Sequence, residues 1–221
     1  NILTVDKIHV YIEKSHILQG VSLNVSEGEV VGLIGRNGAG KTTTLKSIMR
    51  LLPVKSGKIF FKDIDLLKIP SHKILKLGIG FSPEDSGIFP DLTVEDNIKM
   101  PLWTLKIQNR NTNTLDKVLE IFPEIKPLLS RQGLHLSGGE RKMVSVARAL
   151  ITSPSLVLLD EPLEGLAPVV VGKFINAINR MKATGISVLI TESNIQHVYK
   201  IKPTRTYIIE RGEIVEEKKG F

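Results

Sequence analysis

Three short runs hold residues whose types and spacing could do chemistry. The first, Gly35-Arg36-Asn37-Gly38-Ala39-Gly40-Lys41-Thr42, fits the phosphate-loop pattern G-x-x-x-x-G-K-[ST]. Its glycines let the backbone adopt conformations closed to a Cβ and bring N–H groups up to phosphate oxygens. Lys41 would then reach the β- and γ-phosphates of a nucleoside triphosphate, and the Thr42 hydroxyl would hold Mg²⁺. The second run, Leu156-Val157-Leu158-Leu159-Asp160-Glu161, is apolar and ends in two carboxylates. A buried parallel strand delivers its last residues to the sheet edge, where α/β ligand sites form. The third is Leu136-Ser137-Gly138-Gly139-Glu140. Ser137 and Glu140 make an S-x-x-E capping box, and Met143, Val144, Ala147, Leu150 and Ile151 continue on an apolar face. A capped helix does not by itself explain two glycines in its first turn, each costing about 1 kcal/mol against Ala. They make sense where an anion must approach bare backbone.

These runs need elements to hold them. Residues 2–34 alternate apolar and polar positions, which predicts antiparallel strands with one wet face and then a buried strand from Glu29 to Ile34. After the Gly loop, Leu45, Ile48, Met49 and Leu52 recur at helical spacing, predicting a helix over Lys41 to Leu52 stopped by Pro53. Lys58 to Lys62 reads as a strand. Thr93 is a candidate N-cap, and Leu115, Val118, Leu119 and Phe122 mark a further helix after a polar, Asn-rich linker from Gln108 to Thr114. From Leu156 the pattern is strand, helix (Val169 to Met181), strand (Ser187 to Thr191) and helix. A hairpin closes it, from Thr206 to Glu217, turning at Arg211-Gly212.

The 221 residues suffice for one sizeable core, and 42% apolar with 24% charged residues is ordinary globular composition. No apolar run approaches the ~18 residues needed to cross a bilayer. No leader-like stretch precedes the first strand, which predicts a chain that stays in the cytosol. Without Cys there are no disulfides and no thiolate metal sites. The net charge of +7 fits a solvated basic surface or attraction to anionic lipid heads. Seven Phe, three Tyr and one Trp are too few for a base-stacking platform, so no nucleic-acid partner is expected.

Taken in order, the three runs resemble the ATP-binding cassette (ABC) ATPases, and the resemblance covers nearly the whole chain. It implies an α/β, RecA-like P-loop core with an N-terminal antiparallel β subdomain and an inserted helical lobe. The chain would be a single domain, with a core lobe of about 1–88 and 152–221 and a helical lobe of about 89–151. It also implies that residues 35–42 bind ATP, that Thr43 touches the α-phosphate, and that Tyr11 stacks on adenine. Asp160 resembles the carboxylate that holds Mg²⁺, and Glu161 the catalytic base. Residues 136–140 match the signature, whose Ser137, Gly138, Gly139 and Glu140 hold the γ-phosphate of the opposite subunit's ATP in a head-to-tail dimer.

Three positions depart from the family pattern. Glu84 stands where a glutamine usually links Mg²⁺ to the membrane partner. Ala167 replaces an aspartate that contacts the other subunit, and Ser193 replaces the catalytic switch histidine. With Ile88-Phe89-Pro90, Ile121-Phe122-Pro123 and Gly165-Leu166-Ala167-Pro168, these resemble the second ATPase of branched-chain amino acid importers, or its urea and amide relatives. The implied protein hydrolyses Mg-ATP at the cytoplasmic face of a membrane, bound to permease subunits and a second ATPase. The solute does not touch this chain. The alternatives are a lipid or other export ATPase, a soluble non-transport ABC protein, and a regulatory subunit that binds ATP without turnover. Ser193 and Glu84 predict slow turnover at this chain's own Gly loop.

Overall fold

A computed structural model describes residues 1–105 and 114–220. Two sheets form its frame. A small antiparallel sheet has strand order β2-β1-β4-β5, from β1 (Leu3–Ile12), β2 (Ser15–Val25), β4 (Ser56–Phe61) and β5 (Ile64–Asp65). A six-stranded sheet runs β10-β9-β3-β8-β7-β6, from β3 (Val30–Ile34), β6 (Ile79–Ser82), β7 (Leu156–Asp160), β8 (Ser187–Glu192), β9 (Arg205–Glu210) and β10 (Glu213–Lys219). Its strands are parallel except β10, the return arm of the hairpin.

β3, β7 and β8 are buried at every residue. Continuous apolar runs mark strands covered on both faces. Successive side chains alternate between two cores. Val157, Leu159, Val188 and Ile190 face a core shared with helices α3 (Val94–Thr104), α4 (Thr114–Ile121), α5 (Gly138–Leu150) and α6 (Pro168–Ala183). Leu156, Leu158 and Leu189 face the small sheet and helix α1 (Lys41–Ile48). The period of two along each strand thus welds helices to one face and the small sheet to the other.

Several boundaries differ from the sequence expectation. Helix α1 ends near Ile48 rather than Leu52, because Arg50 takes a left-handed conformation (φ 59°) and turns the chain before Pro53 is reached. Thr114, read as the end of the polar linker, opens α4; residues 108–113 of that linker lie outside the described residues. α2 (Ser71–Leu77) and β6 were not anticipated: one is two turns long, the other only four residues and interrupted by Gly80. The Thr93 cap is present, its hydroxyl accepting from the Asp96 N–H at 3.1 Å. A last helix, α7 (Ile195–Ile201), follows β8.

Candidate nucleotide site

The strand order sets the chemistry. β8 lies between β3 and β7, with Ile34 opposite Glu192 and Asp160 opposite Thr191. Their C-terminal ends therefore bring together the Gly loop, the segment from Thr191 to Ser193, and the Asp160-Glu161 pair. The Gly35 N–H donates to the Glu192 carbonyl at 3.2 Å.

Gly38 (φ 81°) and Gly40 (φ 113°) hold left-handed backbone that residues with a Cβ rarely adopt. A Cβ on Gly38 would meet nothing within 4 Å, so the space over the loop is open there. Arg36 and Asn37 are exposed and line an open cavity with Glu210, Arg211 and Glu213. Thr43 is half-buried on the first turn of α1, its carbonyl accepting from the Ser47 hydroxyl. Lys41 is buried. Its Nζ donates to the carbonyls of Gly35 (2.7 Å) and Arg36 (3.0 Å) and pairs with Glu161 Oε1 at 3.0 Å.

The carboxylates are held with equal specificity. Asp160 Oδ1 accepts from the Thr42 hydroxyl at 3.1 Å and the Thr191 hydroxyl at 2.8 Å. Its Oδ2 is buried with no hydrogen-bond partner among the described residues. Burial holds the Asp160 carboxyl above its ordinary pKa, against the two hydroxyl bonds. An unpaired buried carboxylate oxygen is costly, and a cation resolves it. Thr42 and Asp160 thus supply adjacent hard oxygens of the kind Mg²⁺ prefers, and the donor set fits that ion. Glu84 is exposed in the turn that follows β6, and its charge acts on Lys142. No three His, Cys, Asp or Glu side chains converge into a metal cluster among the described residues.

Glu161 carries a left-handed backbone (φ 44°), which costs a residue with a Cβ about 1–2 kcal/mol. Its N–H donates to Thr191 Oγ1 at 3.0 Å, and its Oε2 accepts from the Ser193 hydroxyl at 2.9 Å. Next to it, Glu192 is buried, with Oε1 accepting the Leu163 N–H at 3.3 Å and Oε2 lying 2.8 Å from His197 Nδ1. Burial pushes the Glu192 pKa up to about 7, against the opposing pull of His197. The sequence reading missed Thr191, Glu192 and His197 as parts of the site. The signal was two polar residues ending an apolar strand, followed five residues after Glu192 by a histidine.

The signature turn lies apart. Ser137 accepts from the Glu140 N–H at 3.3 Å, and Glu140 Oε2 accepts from the Ser137 N–H at 2.8 Å, a complete capping box. That backbone bond holds the Glu140 pKa below its ordinary value. Ser137 and Gly138 are exposed. The paired glycines have different reasons. A Cβ on Gly138 would meet nothing within 4 Å, whereas one on Gly139 would lie 2.9 Å from Val170 Cγ1. Gly139 is therefore explained by packing of α5 on α6, and only Gly138 leaves bare backbone open to an outside group. Tyr11 is 43% exposed, its ring stacked on His16 at 4.2 Å, and it lines a cavity with Glu13, Pro53, Val54 and Lys55. That cavity is distinct from the one lined by Arg36 and Asn37.

Comparison with known proteins accords with this geometry. Residues 18–164 match the family described as ABC transporter. The chain is 36% identical over 218 residues to the high-affinity branched-chain amino acid transport ATP-binding protein BraG of Pseudomonas aeruginosa, covering 99% of this chain and 93% of BraG. It is also 36% identical over 201 residues to the lipopolysaccharide export system ATP-binding protein LptB of Escherichia coli, covering 90% of this chain and 83% of LptB. A nucleotide-free ATP-binding cassette from an ABC transporter superposes with TM-score 0.85 at 28% identity, covering 100% of this chain and 92% of that one. With this fold, this site and a relative alike along almost its full length, the chain belongs to the ABC transporter family, as an ATP-binding and ATP-hydrolysing subunit.

Proposed function

We propose that this chain powers an importer for branched-chain or other hydrophobic amino acids, as one half of a head-to-tail ATPase dimer. It would dock on permease subunits at the cytoplasmic face of the membrane. The likeness to BraG along 99% of the chain carries this reading. Among the described residues no helix is long and apolar enough to cross a membrane, so attachment would go through partners.

In this reading the triphosphate lies on the Gly loop, and Lys41 exchanges its loop carbonyls and Glu161 for the β- and γ-phosphates. Thr42 and Asp160 would hold Mg²⁺, which would supply charge neutralisation at the phosphate oxygens. Release of Lys41 frees Glu161 Oε1 to accept the proton of the attacking water as the bond from the γ-phosphorus to the bridging oxygen breaks. Ser193 steadies the other carboxylate oxygen but cannot carry positive charge as a histidine can. Slow turnover is therefore assigned to this chain's own Gly loop, while Ser137, Gly138 and Glu140 complete a faster site on the partner. Tyr11 is assigned to the adenine, backed by His16.

The permease is assigned to the surface around Phe89 and Leu134, which are 47% and 46% exposed beside a cavity lined by Asp85, Ile88, Pro90 and Arg141. Asn97, fully buried, pins that segment by bonding both the N–H and the carbonyl of Phe89. Asp85 is exposed and Ser86 is buried, so a cysteine at Asp85 is the one to cross-link to a permease.

The likeness to LptB favours a second reading, lipid export. The test is ATPase activity of the complex assembled with its own permeases in proteoliposomes. Stimulation by a leucine-loaded binding protein supports import; stimulation by lipopolysaccharide and none by the amino acid overturns it.

A further inference from the structure

Helix α5 begins at the signature glycines, and Lys142 stands one turn inside it, half-buried. Its Nζ donates to the Glu161 carbonyl at 2.8 Å and to the Glu164 carbonyl at 2.9 Å. Both acceptors belong to the turn after β7, where the Glu164 N–H also reaches back to the Glu161 carbonyl at 3.3 Å. The first of them is the residue held at φ 44°. A left-handed residue with a Cβ persists only where its surroundings over-determine it. Here Thr191 holds the N–H on one side of that residue and Lys142 the carbonyl on the other.

The backbone at Glu161 aims its side chain. Leaving the left-handed conformation would re-aim the Cα–Cβ bond and carry the carboxylate away from Lys41 and Ser193, which it now meets at 3.0 and 2.9 Å. A lysine suits the task because its ammonium offers three donors on a flexible stem and can serve two carbonyls at once. Burial holds the Lys142 pKa below its ordinary value, and the negative charge of Glu192, Glu84, Glu164 and Glu161 opposes that shift.

We infer that Lys142 is a positioning residue for hydrolysis: it clamps the left-handed backbone of Glu161 and so ties the signature helix to the base of the same chain. The inference rests on the reading of Glu161 as the general base. It makes α5 and Glu161 one mechanical unit, so a shift of α5 at one composite site is passed to the base of the other.

The test is steady-state ATPase kinetics of the assembled transporter whose partner ATPase has its own general base disabled, so that turnover reports this chain's Gly loop. This chain carries Lys142→Met, Lys142→Arg, Glu161→Gln, or Lys142→Met with Glu161→Gln. Met keeps the packing of the stem and removes the donors. Lys142→Met should lower kcat by about tenfold to a hundredfold, the scale of a misplaced catalytic group, and leave KM for Mg-ATP nearly unchanged. Lys142→Arg should recover most of the rate. In the Glu161→Gln background, Lys142→Met should cost nothing further, because both act on one step.

A wild-type kcat for Lys142→Met beside an inactive Glu161→Gln overturns the inference and leaves the base reading standing. An active Glu161→Gln enzyme overturns the base reading, and the inference with it. Equal damage to kcat and KM in Lys142→Met, together with a lowered melting temperature, assigns Lys142 to stability alone. Should Lys142→Met not fold, Lys142→Gln, which keeps a shorter donor, is held to the same kcat-against-KM criterion.

Discussion

The nucleotide centre and the signature turn are built on opposite plans. At the centre, Lys41, Asp160, Glu161 and Glu192 are all buried, and each makes a bond to a residue far away in the sequence. At the signature, Ser137 and Glu140 satisfy one another within a single turn, and Gly138 faces open space. Beyond the bonds of Lys41 to its own loop and of Glu192 to His197, the centre depends on the tertiary structure for its contacts. The signature depends on little beyond its own helix, as suits a surface meant to meet something outside the chain. Buried charges need partners, whereas a capped helix end needs only its own side chains.

That contrast can be broken at either end. The largest effect belongs to the centre. Glu161→Gln should slow turnover at this chain's own Gly loop by about 10²–10³-fold in single-turnover assays, the worth of a lost general base, with ATP binding preserved. If the mutant hydrolyses at the wild-type rate, the buried centre is not where proton transfer occurs. Lys41→Ala is a poorer probe of phosphate contact, because it also strips Glu161 of its buried counter-charge.

The next effect is pH dependence of stability. Glu192 has a folded pKa of about 7, raised from 4.5. Below 4.5 it is protonated both folded and unfolded. Between 4.5 and 7 the folded state holds a proton that the unfolded state has released, so stability falls as pH rises through this window and levels off above it. The fall should be on the order of 2 kcal/mol in urea titrations from pH 5 to 8, and Glu192→Gln should remove most of it. An unchanged slope in the mutant would assign the dependence to another group.

The two signature glycines sharpen the comparison further. Gly139→Ala should cost about 1–3 kcal/mol, since its Cβ would press on Val170. Gly138→Ala should leave melting unchanged or raise it, yet reduce the ATPase activity of the assembled dimer. Equal destabilisation by both would mean that Gly138 is also packed within the chain. Smallest is Ser137→Ala, which removes one cap and should lower stability by about 1 kcal/mol by chemical denaturation.

What could be read beforehand follows the same division. The Gly loop, the Thr93 cap, the Ser137–Glu140 box and the strands β3, β7 and β8 were legible, because each rests on residues a few positions apart or on one unbroken apolar run. The end of α1 was misjudged because apolar spacing continued to Leu52 while the backbone of Arg50 had already turned left-handed. Two glycines read as one device proved to have separate reasons, since only the packing of α6 distinguishes them.

The sequence by itself determined the local vocabulary: which loop can cradle phosphate, which helix starts where, and which runs must be buried on both faces. Backbone hydrogen bonds and side-chain periodicity act over a few residues, so those choices are written in consecutive letters. Only the tertiary structure decided that β8 lies between β3 and β7. That order sets Thr42 against Asp160 across 118 positions of sequence, and Ser193 against Glu161 across 32. It also decided that Lys142 would hold the carbonyl of Glu161. Strand order is chosen by the whole core at once, through which apolar faces can be covered together, and no short run of residues specifies it.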